Sequence, residues 1–101
     1  MIARSFAMQM AMIDSELGRA EEWLNQNQQK TATEAYLRAL ELLDRVTAVS
    51  RGVTRLRELG RLREAIAQEF TREKSDAKNL EKLRQYFEPF NMRVAKERGL
   101  T

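Results

Sequence analysis

With no His and no Cys in the chain, the side chains that could do chemistry are arginines and carboxylates. Thiol nucleophiles, disulfides, Cys or His zinc sites and imidazole acid–base catalysis near neutral pH are all excluded on that ground. The densest group is basic. Arg45, Arg51, Arg55, Arg57, Arg61 and Arg63 fall within nineteen residues, with Glu58 the single acid among them. Such a run can neutralise phosphates without reading bases, so the chemistry on offer is polyanion or nucleic-acid binding, with Arg51, Arg55, Arg57 and Arg61 as candidate contacts.

A helical wheel weakens that reading. Arg57 and Arg61 share the polar face with Glu64, Arg51 and Arg55 lie towards one edge of the apolar stripe, and Arg63 lies near the other. Charge is also uneven along the chain: residues 1–44 carry 4 basic and 7 acidic side chains, and residues 45–101 carry 14 and 8. Interleaving with Glu, or pairing with the acidic first half, therefore competes with phosphate binding. The segment Ala48-x-x-x-Gly52-Val53-Thr54 resembles the turn of a helix-turn-helix. Its anchor positions hold Arg51, Glu58 and Arg61, charges where that motif needs apolar contacts, so the match fails.

The carboxylates offer less. Glu21-Glu22 and Glu41-x-x-Asp44 are spaced as solvated helix surface usually is, and no metal site is assigned to them. There is no glycine-rich phosphate loop and no nucleophile–base pair. Hence no catalytic residue, cofactor or small-molecule substrate is assigned, and the reading is non-enzymatic.

The elements that must carry these residues are helices. The 101 residues are 43% hydrophobic and contain one Pro and four Gly, enough apolar content for one core and few helix breakers. A single domain spanning 1–101 follows. No run approaches the roughly 20 apolar residues needed to span a bilayer. The mildly apolar opening is interrupted by Gln9 and followed by Asp14 and Glu16 on a continuing helical pattern, which argues against a cleaved signal. A cytoplasmic location and no membrane contact are the expectations.

Phe6, Met10, Ile13, Leu17, Ala20 and Leu24 step 4, 3, 4, 3, 4 and predict a first helix over about 3–28. Met8 and Met12 project roughly opposite that stripe, with Trp23 near their line. Either this helix is central in the fold, or Met8, Met12 and Trp23 form a protein interface. Residues 25–30 read as a polar linker, and Thr31-x-x-Glu34 as a capping box that starts the second helix. Its stripe is Tyr36, Leu40, Leu43, Val46 and Val49.

At Ser50-Arg51-Gly52 the stripe slides too fast for one straight helix, so a turn is expected there with Gly52 in a left-handed conformation. The alternative is one long central helix over 32–73 in a three-helix arrangement. The third helix, with Val53, Leu56, Leu59, Leu62, Ile66 and Phe70, should reach Glu73, and Ser75 should cap the fourth. Ala77, Leu80, Leu83, Phe87, Phe90 and Val94 make the fourth stripe, which Pro89 must kink near Phe87 and Glu88. Tyr86, Phe87, Phe90 and Met92 should close one end of the core.

The fold expected is all-α, a four-helix antiparallel up-and-down bundle with its last helix kinked at Pro89. The function expected is a protein–protein interaction or assembly module, acting on a second copy in a dimer or on another protein, with polyanion binding through Arg51–Arg63 as the alternative.

Overall fold

Gly52 takes φ +96° and ψ 134°, and there the chain leaves one helix and enters another. The computed structural model describes residues 4–72 and 76–99. It is all-α, with no strand among the described residues: α1 is Phe6–Asn25, α2 Gln29–Val49, α3 Val53–Thr71, α4 Ala77–Arg84 and α5 Glu88–Glu97. The single long helix over 32–73 is thereby overturned. The turn expected at Ser50-Arg51-Gly52 is there, and Gly52 has the expected positive φ, but not the compact ψ of a cap closing α2. Its extended ψ makes it the residue before α3, a combination that a side chain disfavours.

Each boundary has a local cause. Ser5 accepts a hydrogen bond from the Met8 amide (3.1 Å) and caps α1 two residues inside the expected start; Ala3 lies outside the described residues. Asn27, at φ 60°, ends α1 early. The Gln28 amide donates to the Trp23 carbonyl (2.8 Å) and the Asn27 amide to that of Leu24 (3.0 Å), a Schellman closure that Asn tolerates.

This tight turn also overturns the expected capping box. The Gln28 carbonyl already accepts from Ala32 (3.0 Å), so α2 begins at Gln29 and Thr31 lies inside it. Asp76 caps α4 by accepting from the Lys78 amide (2.9 Å). The expected cap Ser75 and the expected helix end Glu73 lie outside the described residues. Ahead of Pro89 the chain tightens into a 3-10 turn over Gln85–Phe87 and restarts as α5. There Pro89 falls in the first turn and its missing amide costs no bond. Gly99 closes α5 at φ 69°.

α1 is the central element, packing on α2, α4, the 3-10 turn and α5, while α3 packs on α2 and α4. Side-chain neighbours step in opposite directions: Glu16 with Arg38 and Met12 beside Val46 and Val49 across α1–α2, and Ser5 with Glu97, Phe6 with Phe90 and Asp14 with Arg84 across α1–α4/α5. The core is Met10, Ile13 and Leu17 of α1, Tyr36, Ala39 and Leu43 of α2, Leu59, Leu62 and Ile66 of α3, then Leu80 and Phe87.

Three stripe residues miss it. Val49 and Val53 are 70% and 72% exposed and Leu56 41%. The buried line of α3 runs Leu59, Leu62, Ile66, Glu69, and stepping back four residues from Leu59 reaches Arg55. At ~100° per residue Leu56 lies about 120° from Leu62 on the wheel and Val53 about 180°. Met92 is likewise 64% exposed and takes no part in closing the core. That closure is made by rings: Tyr86 on Phe87 (5.5 Å), Tyr86 on Phe90 (5.9 Å) and Phe90 on Phe6 (5.6 Å).

Candidate protein-interaction surface

The first turn of α1 is fixed from both sides. Phe6 packs edge-on against Phe90, and the Arg55 guanidinium sits 4.0 Å above its ring. Arg55 thus fills a core-facing position by covering an aromatic face. Just before the helix, Arg4 donates to the Met12 sulfur (3.4 Å) and its carbonyl accepts from Gln9 (3.2 Å). Met12 is held at the seam where α1 meets the end of α2.

At that seam lies an open hollow of about 240 Å³, lined by Arg4, Gln9, Met12, Leu42, Arg45, Val46 and Val49. Its apolar side chains come from both helices, and the charged residues among its described lining are Arg4 and Arg45. Across the turn from Val49 stand the exposed Val53 and Leu56, with Arg51, Arg55 and Arg57 among them. Met12, the proposed polyanion contacts Arg51 and Arg55, and the misfit residues Val49, Val53 and Leu56 are thus gathered at one end of the molecule.

Acids near this end include Asp44, Glu58 and Glu97, the last accepting from Ser5 Oγ (3.5 Å) beside Arg4. Asp44 accepts from Arg63 (2.8 Å), and this bond raises the Arg63 pKa further. Glu58 is turned towards Tyr86, whose phenol is pushed up by burial first and by Glu58 second. Arg45, Arg51, Arg57 and Arg61 are exposed and have no carboxylate at ion-pair distance among the described residues.

Met8 is half-buried on α1, one turn before Met12, and does not line the hollow. Trp23 is half-buried and packs on the core in the last turn of α1, about 16 Å along the axis from Met12 at the helical rise. The structure therefore joins Met12 to the arginine-rich segment and leaves Trp23 apart.

A second polar arrangement went unread in the sequence. Asp14, 6% exposed, accepts from Arg84 Nε (2.8 Å), Arg84 Nη2 (3.3 Å) and Asn91 Nδ2 (2.9 Å), while Arg84 Nη1 donates to Glu21 (3.0 Å). The hydrogen bond to Asp14 is the main cause of a raised Arg84 pKa. With three donors on one carboxylate, the cluster ties α4 and α5 to α1 and offers no free base. The clue was positional: Asp14 is four residues from Met10 and three from Leu17, on the edge of the buried stripe, and Arg84 stands likewise between Leu80 and Phe87.

A wider depression of about 630 Å³ has a described lining from α5 alone, mixed in charge through Glu88, Arg93 and Lys96. No group of three or more acidic, His or Cys side chains among the described residues could hold a metal ion. No helix among them is long and apolar enough to cross a membrane. No family model matches the chain, and neither a curated protein nor a solved structure is significantly similar to it.

Proposed function

We propose that this chain is a non-enzymatic protein-interaction or assembly module that receives a helix of a partner, or of a second copy, at the α1–α2 seam. The observation that carries the reading is the open apolar hollow of Met12, Leu42, Val46 and Val49. Apolar groups left open together, with arginines around them, make the pattern of an interface core and its polar rim. The test pairs Met12→Asp with Val49→Asp and follows two readouts. One is the absolute mass in solution over a range of concentrations; the other is the set of proteins cross-linked to the chain in its native extract. Loss of association in either is expected. A variant that keeps both mass and cross-links unchanged sinks the reading.

The alternative, polyanion binding, draws support from Arg51, Arg57 and Arg61, which are exposed and unpaired with any described carboxylate. It predicts retention on heparin that falls steeply with salt and is lost on replacing Arg57 and Arg61 by Gln. Retention that survives high salt counts against it.

A further inference from the structure

We infer that the occupant of the α1–α2 hollow is an acidic amphipathic helix of another protein; this rests on the interaction reading above and names the chemistry of its partner. Three observations lead there.

The hollow, at about 240 Å³, is below the range of about 300–1,000 Å³ typical of small-molecule sites, and it is open. Its size suits inserted side chains better than a whole ligand. It runs between two antiparallel helices, a groove into which the ridge of a third helix fits, with apolar anchors at i, i+3, i+4 and i+7. No strand edge exists among the described residues to receive an extended peptide.

Among the hollow's described lining residues the charge is of one sign. Arg4 and Arg45 line the hollow, and Arg51 and Arg55 follow across the turn. Asp44 is engaged by Arg63, Glu97 by Ser5, and Glu58 lines a separate hollow with Leu83 and Tyr86. A basic helix would set like charges together, whereas an acidic one is steered in and held in register.

A nucleic acid suits the same surface poorly. Phosphates do not fill a floor of Met, Leu and Val, and no aromatic side chain stands among the hollow's described lining residues to stack on a base.

The experiment uses a labelled designed peptide with Leu at i, i+3, i+4 and i+7 and Glu on its other face. Its controls are the same peptide with Lys for every Glu, and one with scrambled Leu positions. Binding to the full chain is read by fluorescence anisotropy at low and at physiological salt. The acidic peptide should bind saturably, at least about tenfold tighter than either control. That advantage should shrink as salt screens it. Met12→Asp with Val49→Asp should weaken it about tenfold or more, and so should Arg45→Glu, an exposed substitution that leaves the packing untouched.

Equal binding of acidic and basic peptides overturns the inference, as does binding indifferent to both variants. If the acidic peptide fails while the chain self-associates through Met12 and Val49, the interaction reading stands and the acidic partner falls. If the peptide fails and heparin binds, the polyanion alternative takes its place.

Discussion

Two glycines in helix interiors make opposite predictions, and the difference tests whether the Arg84 guanidinium is seated where the structure places it. Gly60 lies inside α3, and a methyl added there meets nothing within 4 Å. Gly60→Ala should therefore gain the ordinary helix preference of Ala over Gly, about 1 kcal/mol. Gly18 lies inside α1, and its added methyl would stand 3.1 Å from the Arg84 guanidinium carbon and 3.1 and 3.3 Å from its terminal nitrogens.

The guanidinium would have to retreat, and its bonds hold it in place. The contact to Asp14 Oδ2 is already 3.3 Å, and retreat would take it out of range while stretching the 3.0 Å bond to Glu21. A hydrogen bond to a charged group contributes about 1.5–3 kcal/mol; with the Arg84 side chain 33% exposed, the lower figure applies. Set against the helix gain, Gly18→Ala should come out about 0.5 kcal/mol less stable than the parent and about 1.5 kcal/mol below Gly60→Ala. For a domain of this size that gap is about 6–12 °C in melting temperature.

The assay is thermal and urea unfolding followed by circular dichroism, with Trp23, the only tryptophan, as a second probe. A double-mutant cycle completes it: in an Arg84→Ala background the same Gly18→Ala change should recover the full gain of about 1 kcal/mol. Equal stabilisation by Gly18→Ala and Gly60→Ala in the parent chain would refute the packing of Arg84 against α1.

Gly52→Ala should destabilise by about 1–3 kcal/mol although nothing lies within 4 Å of the new methyl, because a side chain at φ +96° is strained by its own backbone. Unfolding in urea checks it, and no loss of stability would place the chain reversal elsewhere. Glu69, 7% exposed, has its pKa raised above the ordinary 4.5, chiefly by burial and further by Asp76, with Arg72 acting against both. The folded state then holds this proton more tightly than the unfolded state. Its contribution is fully present below about 4.5 and is lost as pH rises through the folded value. Measured by urea unfolding from pH 4 to 7, the parent should lose stability with rising pH relative to Glu69→Gln, and a difference that stays flat defeats the argument.

Much of the fold was legible because helical period is a strong signal. The stripes of α1 and α2 reach the core as spaced, from Met10 to Leu24 and from Tyr36 to Val46. The turn at Gly52 follows from a stripe that slides too fast, and the break before Pro89 from a missing amide. Where structure and expectation differ, position in the fold outweighs residue type. Thr31 reads as a cap only if the loop before it is long, and Asn27 makes it short. Val53 and Leu56 look like core until the buried face of α3 is anchored at Leu59, Leu62 and Ile66; then Arg55 and Glu69 fall on the core line and the two apolar residues off it. Asp14 and Arg84 read as surface because polar residues beside a stripe usually are, and only the third dimension shows that each answers the other.

The arginine run shows why sequence alone could not choose between charge pairing and a binding surface. Within it, Arg63 is consumed by Asp44 of the acidic first half, and beyond it Arg84 is consumed by Asp14 and Glu21. Arg55 is used as a lid on Phe6. These three follow the structural reading. Arg45, Arg51, Arg57 and Arg61 do not, since no described acid reaches them. Arg57 and Arg63 are six residues apart on one helix, about 120° around it, and that rotation alone puts one against α2 and the other in solvent. The polar cluster at Asp14 adds the rest of the explanation. By fastening α4 and α5 to α1 it covers the side of α1 that bears Phe6 and Asp14, and the seam with the end of α2 stays open. The same contacts that close the core thus leave the apolar groups of the hollow open beside Arg4 and Arg45, which is the combination the proposed acidic amphipathic partner requires.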